Sequence, residues 1–347
     1  MGNVLSYSGL STKIRAMQSR LITEKELEEI VQLTSVPQVI AYLKKTPEYE
    51  SAWAEVDENH LHRGEAEKLL KKSIFNNFSR LYHFANKEQR NFLTLYSKRY
   101  EILVLKSILT NLFDRRDTDP VDLSPYRSFF RQHSKLDTDR LTAARNIEEF
   151  VNALRGNEFY EPLSKVLARG NGLLFDYGNA LDLYYYGQVW HMRDKIFSKQ
   201  DLAVITRTYG AKFDMLNLEF IQRSRQYYHM NPASVYSTLI PMNYKLKRTE
   251  ISALAEASTY EESKAILDQT YYAHRYPGMT PANLEEFYTK ILRTTLETEA
   301  GRDPYSVAII YSYLYHKEHE VNRLTIALEC VRYGVDREEA MRYIRSN

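Results

Sequence analysis

A short segment occurs three times along this chain, and no other feature limits its possible folds so closely. In the middle stands Phe213-Asp214-Met215-Leu216-Asn217-Leu218-Glu219-Phe220-Ile221-Gln222-Arg223. About 113 residues earlier comes Tyr100-Glu101-Ile102-Leu103-Val104-Leu105, with Ile108 beyond it; about 106 residues later comes His319-Glu320-Val321-Asn322-Arg323-Leu324, with Ala327 beyond it. Each copy has a ring, a carboxylate, an apolar residue, and a Leu four positions after the carboxylate. A segment reused at a steady period marks a unit of architecture.

A second marker keeps step with the first. Ser35 with Gln38, Asn146 with Glu149 and Thr259 with Glu262 each have the spacing of a capping box that opens a short helix. Leu43, Leu154 and Leu267 follow, 111 and 113 residues apart, and then the rings Tyr49, Tyr160 and Tyr271-Tyr272. Two markers on one period predict three related units of about 110 residues, bounded near 1–120, 121–230 and 231–347.

Within each unit the apolar spacing is helical. Ile14, Met17, Leu21, Leu27, Ile30 and Val31 fall at helical intervals, and Thr23 with Glu26 forms a further capping box where two helices meet. Long helices are predicted over 65–82, 87–113 after an Asn86 and Gln89 cap, 173–193 and 199–228. Pro120, Pro125, Pro232 and Pro241 break the chain between units. Gly334 stops a helix, and Asp336 with Glu339 starts the last one. No stretch reads as a strand, so the fold class is all-α. Twenty-eight tyrosines against 12 glycines suit helices packed on helices.

Several function classes fall away. Lys and Arg total 47 against 45 acids, a net charge of +2, so nothing points to nucleic acid. Cys330 is the one cysteine, which precludes an internal disulfide and fits a reducing compartment. No apolar run reaches the 18 or so residues of a membrane span; Lys106 interrupts 102–112 and 307–315 is too short. The N-terminus lacks a secretory signal, while Met1-Gly2-Asn3-Val4-Leu5-Ser6 matches a myristoylation pattern without a second feature to support it.

The search for chemistry ends without a catalytic set, a cofactor motif or a metal motif. There is no phosphate loop; Gly170-Asn171-Gly172 lacks both the third glycine and the strand of a dinucleotide site. His319-Glu320 begins like a zincin helix, but Arg323 stands where the second histidine belongs. His316 with His319, and His60 with His62, are incomplete shells. Asp114, Asp117 and Asp119 are interleaved with Arg115 and Arg116, which suits screening at a helix end better than a calcium loop. Tyr184-Tyr185-Tyr186 cannot form one stacking platform, because consecutive helical residues diverge by about 100°. Glu101, Asp214 and Glu320, each followed by apolar residues, read as helix anchors. With Asn217 and Asn322 they form the structural repeat motif, and the first copy departs from it with Leu103 in the Asn position. Asp214 and Asn217, one turn apart, are expected to face a neighbouring element within the central unit.

The motifs together resemble a known family. Lys13-Ile14-Arg15-Ala16-Met17-Gln18-Ser19-Arg20-Leu21, Phe213-Asp214-Met215-Leu216-Asn217-Leu218 with Arg223, and Glu318-His319-Glu320-Val321-Asn322-Arg323-Leu324 are similar in order and spacing to the C subunits of V-type ATPases (V/A-type ATP synthases), a family related to the eukaryotic d subunits. The likeness covers nearly the whole chain. It implies a funnel-shaped, all-helical protein of three similar helical lobes, non-catalytic and without cofactor. Such a protein would be peripheral on the cytoplasmic face of the membrane, seated on the proteolipid ring, and would receive the D and F subunits of the central shaft. Two other readings remain from the residues alone: a helical-repeat scaffold holding peptides or protein partners, and a helical metal-dependent hydrolase.

Overall fold

The computed structural model describes residues 2–57, 61, 63–114 and 121–346, and every described element is helical. After α1 (Gly2–Gln18) come three short helices, α2 (Glu24–Ile30), α3 (Val36–Leu43) and α4 (Glu50–Trp53), then two long ones, α5 (Arg63–Phe84) and α6 (Lys87–Phe113). A short α7 (Arg127–His133) leads to α8 (Thr138–Thr142), α9 (Ile147–Ala153) and α10 (Tyr160–Leu167), again followed by long helices, α11 (Leu174–Ile196) and α12 (Lys199–Gln226). A short α13 (Pro232–Thr238) leads to α14 (Arg248–Glu256), α15 (Tyr260–Leu267) and α16 (Tyr271–Arg275). A 3-10 turn (Pro281–Asn283) precedes the long α17 (Leu284–Arg302) and α18 (Val307–Tyr333), and α19 (Arg337–Ser346) ends the chain. The order of three short and two long helices thus occurs three times.

Helix starts follow the sequence chemistry, with one shared variation. Thr23 and Asn86 make full capping boxes with Glu26 and Gln89. At α3, α9 and α15, the Gln or Glu instead reaches one residue further back. Gln38 accepts from Thr34 N–H (3.0 Å), Glu149 from Arg145 N–H (2.9 Å) and Glu262 from Ser258 N–H (2.8 Å). Ser35 makes no side-chain cap, contrary to the expected Ser35/Gln38 box, and the return half of that box is taken by Thr34, whose hydroxyl also donates to Gln38. Asn146 and Thr259 do cap their helices. At the other end, Gly334 adopts φ 64° and Val335 N–H returns to the Cys330 carbonyl, which closes α18. His60, His62, the 115–119 charge cluster and the Pro120 break lie outside the described residues, as does Met1.

The chain divides into two compact units, residues 1–185 with 309–347, and residues 186–308. In the first, α1 buries Tyr7, Leu10, Ile14 and Met17 at helical spacing. Phe75, Phe78, Tyr100 and Phe129, from α5, α6 and α7, pack with ring centroids 4.9–6.3 Å apart in mostly tilted or edge-on contacts. In the second unit, α12 packs on α17 and α14 around Met215, Leu218, Ile221, Leu254, Phe287 and Ile291. Arg207 and Glu299 join α12 to α17 by a two-pronged ion pair at 2.7 and 2.6 Å. Gly210 is required there: a Cβ on it would lie 2.5 Å from the Tyr244 ring.

Candidate functional site

The three repeated acids all lie on long helices and all are buried: Glu101 on α6, Asp214 on α12 and Glu320 on α18. A buried carboxylate must be matched by donors, so its partners reveal its job. In each case, directly or through one side chain, the partner is the backbone just ahead of a short helix.

Asp214 is the most enclosed, with no exposed area. Its oxygens accept from the N–H groups of Tyr244 (3.0 Å), Lys245 (2.6 Å) and Leu246 (2.9 Å), and from the Tyr272 hydroxyl (2.8 Å). Leu246 is followed by Lys247, the first residue outside α14. Burial raises the Asp214 pKa despite the opposing pull of those four hydrogen bonds, and burial beside Asp214 raises that of the Tyr272 hydroxyl. One turn on, Asn217 exchanges two hydrogen bonds with Ile240, at 3.0 and 2.9 Å. Asp214 and Asn217 therefore do face a common neighbour, but it spans residues 240–246 and 272 and lies beyond 230, not within 121–230.

Glu320 repeats the arrangement with the start of the chain. It accepts from Ile22 N–H (2.7 Å), immediately before the Thr23 cap of α2, and from the Tyr49 hydroxyl (2.9 Å). A cation is added here. Lys317, fully buried one turn earlier on α18, contacts Glu320 at 2.5 Å and Glu48 at 2.9 Å, and donates to the Tyr49 hydroxyl at 3.0 Å. Asn77 donates to Glu48 (2.5 Å) and contacts the Tyr313 hydroxyl (2.8 Å), which completes the network.

Glu101 reaches its loop through an intermediary. It accepts from the Ser134 hydroxyl, and that oxygen accepts from Leu136 N–H at 3.0 Å, immediately before the Asp137 cap of α8. The buried ring that precedes α10 as Tyr49 precedes α4 is Phe159; Tyr160, expected from the sequence spacing, is only half-buried. Phe159 carries no hydroxyl, and Ser134 supplies one instead. Burial raises the Glu101 pKa against the Ser134 hydrogen bond and nearby Lys98.

The two asparagines of the predicted motif are not equivalent. Counted from the acid, Asn217 stands at plus three and Asn322 at plus two, and Asn322 is exposed. The plus-three residue of the last copy is Arg323, which pairs with Glu24 on α2. Asn322 therefore matches Leu103 and Leu216, and Asn217 matches Val104.

None of the three acids opens onto a reaction space. Each engages structural donors, and what it holds is the protein's own backbone. Among the described residues no group of three or more His, Cys, Asp or Glu is placed to hold a metal. His319 stacks on Tyr315, with ring centroids 6.1 Å apart and planes 10° from parallel. A shallow cavity of 270 Å³ lies between the end of α12 and the start of α15, but its cation, Arg225, is engaged by the carbonyls of Met230 and Ala257. No described helix is long and apolar enough to cross a membrane.

Sequence reasoning missed Lys317, Glu48 and Ser134. A signal was present for the first two. Lys98 and Lys317 both stand three residues before the acid, while Glu158 and Glu48 both immediately precede the buried ring, and each lysine pairs with its glutamate.

A family model described as ATP synthase (C/AC39) subunit matches residues 10–343. Among characterised proteins, the C subunit of the A-type ATP synthase of Methanosarcina mazei is 23% identical over 345 residues, covering 96% of this chain and 91% of its own. That of Methanobrevibacter smithii is 23% identical over 335 residues, covering 93% and 84%. That of Archaeoglobus fulgidus is 21% identical over 348 residues, covering 98% and 96%.

Proposed function

The chain belongs to the ATP synthase (C/AC39) subunit family, and from that premise we propose that it is a non-catalytic central-stalk subunit of a rotary, ion-translocating ATPase. It sits on the cytoplasmic face of the membrane, rests on the proteolipid ring and receives the D and F subunits of the central shaft. The observation that carries this reading is the family match over residues 10–343. The buried acids agree with it. A part that transmits torque needs stiff helix packing more than a reactive cleft, and each acid fixes a loop against a long helix.

The same reading takes the three successive sets of helices as three copies of one lobe, near 1–120, 121–230 and 231–347. Three features support it. The element order recurs, the helices α3, α9 and α15 share the displaced Gln or Glu cap, and each acid engages the loop ahead of α8, α14 or α2.

The test is direct binding. At low salt the purified chain should bind detergent-solubilised proteolipid ring and, separately, a complex of the D and F subunits, and should hydrolyse no nucleotide alone. Failure to bind either partner refutes the proposal.

A further inference from the structure

If three lobes are copies, each long helix meets three candidate loops of similar shape, and only one is right. Hydrophobic packing discriminates poorly between such alternatives, whereas a charge buried without its partner discriminates strongly. The chain carries such a difference at two positions. One is the residue three before the acid; the other is the residue just before the buried ring.

On α6 and just ahead of α10 these positions hold Lys98 and Glu158, which form an ion pair. On α18 and ahead of α4 they hold Lys317 and Glu48, both buried and paired at 2.9 Å. On α12 and α16 they hold Ala211 and Tyr271, with no charge at either position. There the Tyr271 ring lies 5.5 Å from Lys245 Nζ. The hydroxyl supply differs as well: Tyr49 and Tyr272 bring their own, while Phe159 leaves that role to Ser134.

We propose that these residues are a pairing code: they keep α18 off the third set of short helices and α12 off the first. The proposal rests on the three-copy reading above. Its physics is exclusion. α18 set against Tyr271 and Tyr272 would bury Lys317 with Glu320 as its only carboxylate. α12 set against Glu48 and Tyr49 would bury Glu48 with no cation, because Ala211 stands in the lysine's place. α18 set against the second set would meet Glu158 and, in place of the Tyr49 hydroxyl, that of Ser134, so the code does not separate the first set from the second. The two mismatches with the uncharged pair, α18 on the third set and α12 on the first, each leave a buried charge short of a partner that the native match supplies.

The code is tested by refolding the full-length chain with spin labels at Lys25 and Asn322, two exposed positions flanking the α2–α18 contact. Labels are attached to the native protein, which is then unfolded in denaturant, refolded, and examined for its inter-label distance distribution. The parent should return one sharp distance. Two variants should lose that uniqueness and show a second, longer population. Lys317→Met with Glu48→Gln erases the code at the closing pair without leaving an unpaired buried charge at either position. Tyr271→Glu, a change at an exposed side chain, gives the third set the acid that α18 is built to meet.

A second population in both variants supports the code. One sharp distance in both overturns it. If only the Lys317/Glu48 variant broadens, the ion network is a lock private to the chain ends, and the code fails along with the three-copy equivalence beneath it. If only Tyr271→Glu broadens, the native pair is not what excludes the wrong matches, and the code is again overturned. Binding of the ring and shaft is a separate measurement, so failure of the functional assignment would show there and not in the distances.

Discussion

Asp214 and Glu320 are buried on corresponding positions of long helices and grip the same kind of loop, yet they are stabilised by opposite means. In residues 186–308 the charge of Asp214 is met by three backbone N–H groups and one phenol. In the unit formed by residues 1–185 and 309–347, Glu320 has one backbone N–H, one phenol and the ammonium of Lys317, which is shared with a second carboxylate, Glu48. The first arrangement uses dipoles that come with the chain; the second needs three side chains to be present together. Backbone donors persist through any substitution except proline, so the Asp214 arrangement depends chiefly on a single side chain. The Glu320 arrangement is a network in which losing one member strands the others.

The largest test of that contrast is Lys317→Met. It leaves Glu48 and Glu320 buried without a cation and should cost about 3–5 kcal/mol of unfolding free energy in chemical denaturation. Adding Glu48→Gln should recover a good part of that loss, because the second stranded charge is gone. A single variant as stable as the parent would break the comparison. Asp214→Asn comes next. The amide keeps one acceptor oxygen but turns an NH2 toward the Tyr244–Leu246 amides, at a cost of about 1–3 kcal/mol. No companion substitution should rescue it, since most of the partners are backbone; a rescuing second-site change would show that a side-chain network operates there too.

The smallest effect is on pH dependence, in the same unit as Asp214. Glu219 on α12 has a buried Oε1 with no hydrogen-bond partner, and burial, opposed by Arg223 and helped by Glu285, raises its pKa to about 7. A carboxyl raised in the folded state binds more protons there than when unfolded. Its contribution to stability is therefore full below the unfolded value, declines as pH rises from near 4.5 to near 7, and is flat above that. Glu219→Gln should remove this decline from denaturation midpoints measured across the same interval. An unchanged pH profile would show that Glu219 finds solvent or a cation and that this unit does not rely on uncharged burial.

Much of the helical framework is legible from the residues alone. α6 begins at Lys87 and ends at Phe113 as the Asn86/Gln89 cap and the apolar spacing predict, and α12 begins at Lys199 as expected. Caps and periodicity are local, so local sequence suffices. The return half of the Ser35 box failed for an equally local reason: Thr34 takes the Gln38 oxygen. The acid positions could be picked out because a carboxylate amid helical apolar spacing must be buried and matched. The second lysine-and-glutamate layer also repeats in the sequence, but Lys98, Glu158, Lys317 and Glu48 look like ordinary surface charges until burial separates the last two from solvent.

Sequence is enough to set the all-helical class, the recurring order of elements and the identity of the three acids, because hydrophobic period and capping pairs act over a few residues and the repeat is found by comparing such short windows with one another. It leaves open what those acids hold. That Asp214 reaches residues 244–246, that Glu101 needs Ser134 as a relay, and that Glu320 closes onto Ile22 and Tyr49, 298 and 271 residues away, follow only from the packed chain. A helix face specifies that something must cover it. Which loop covers it involves groups that no short window of sequence contains together: for α18 these are Ile22, Glu48, Tyr49, Lys317 and Glu320.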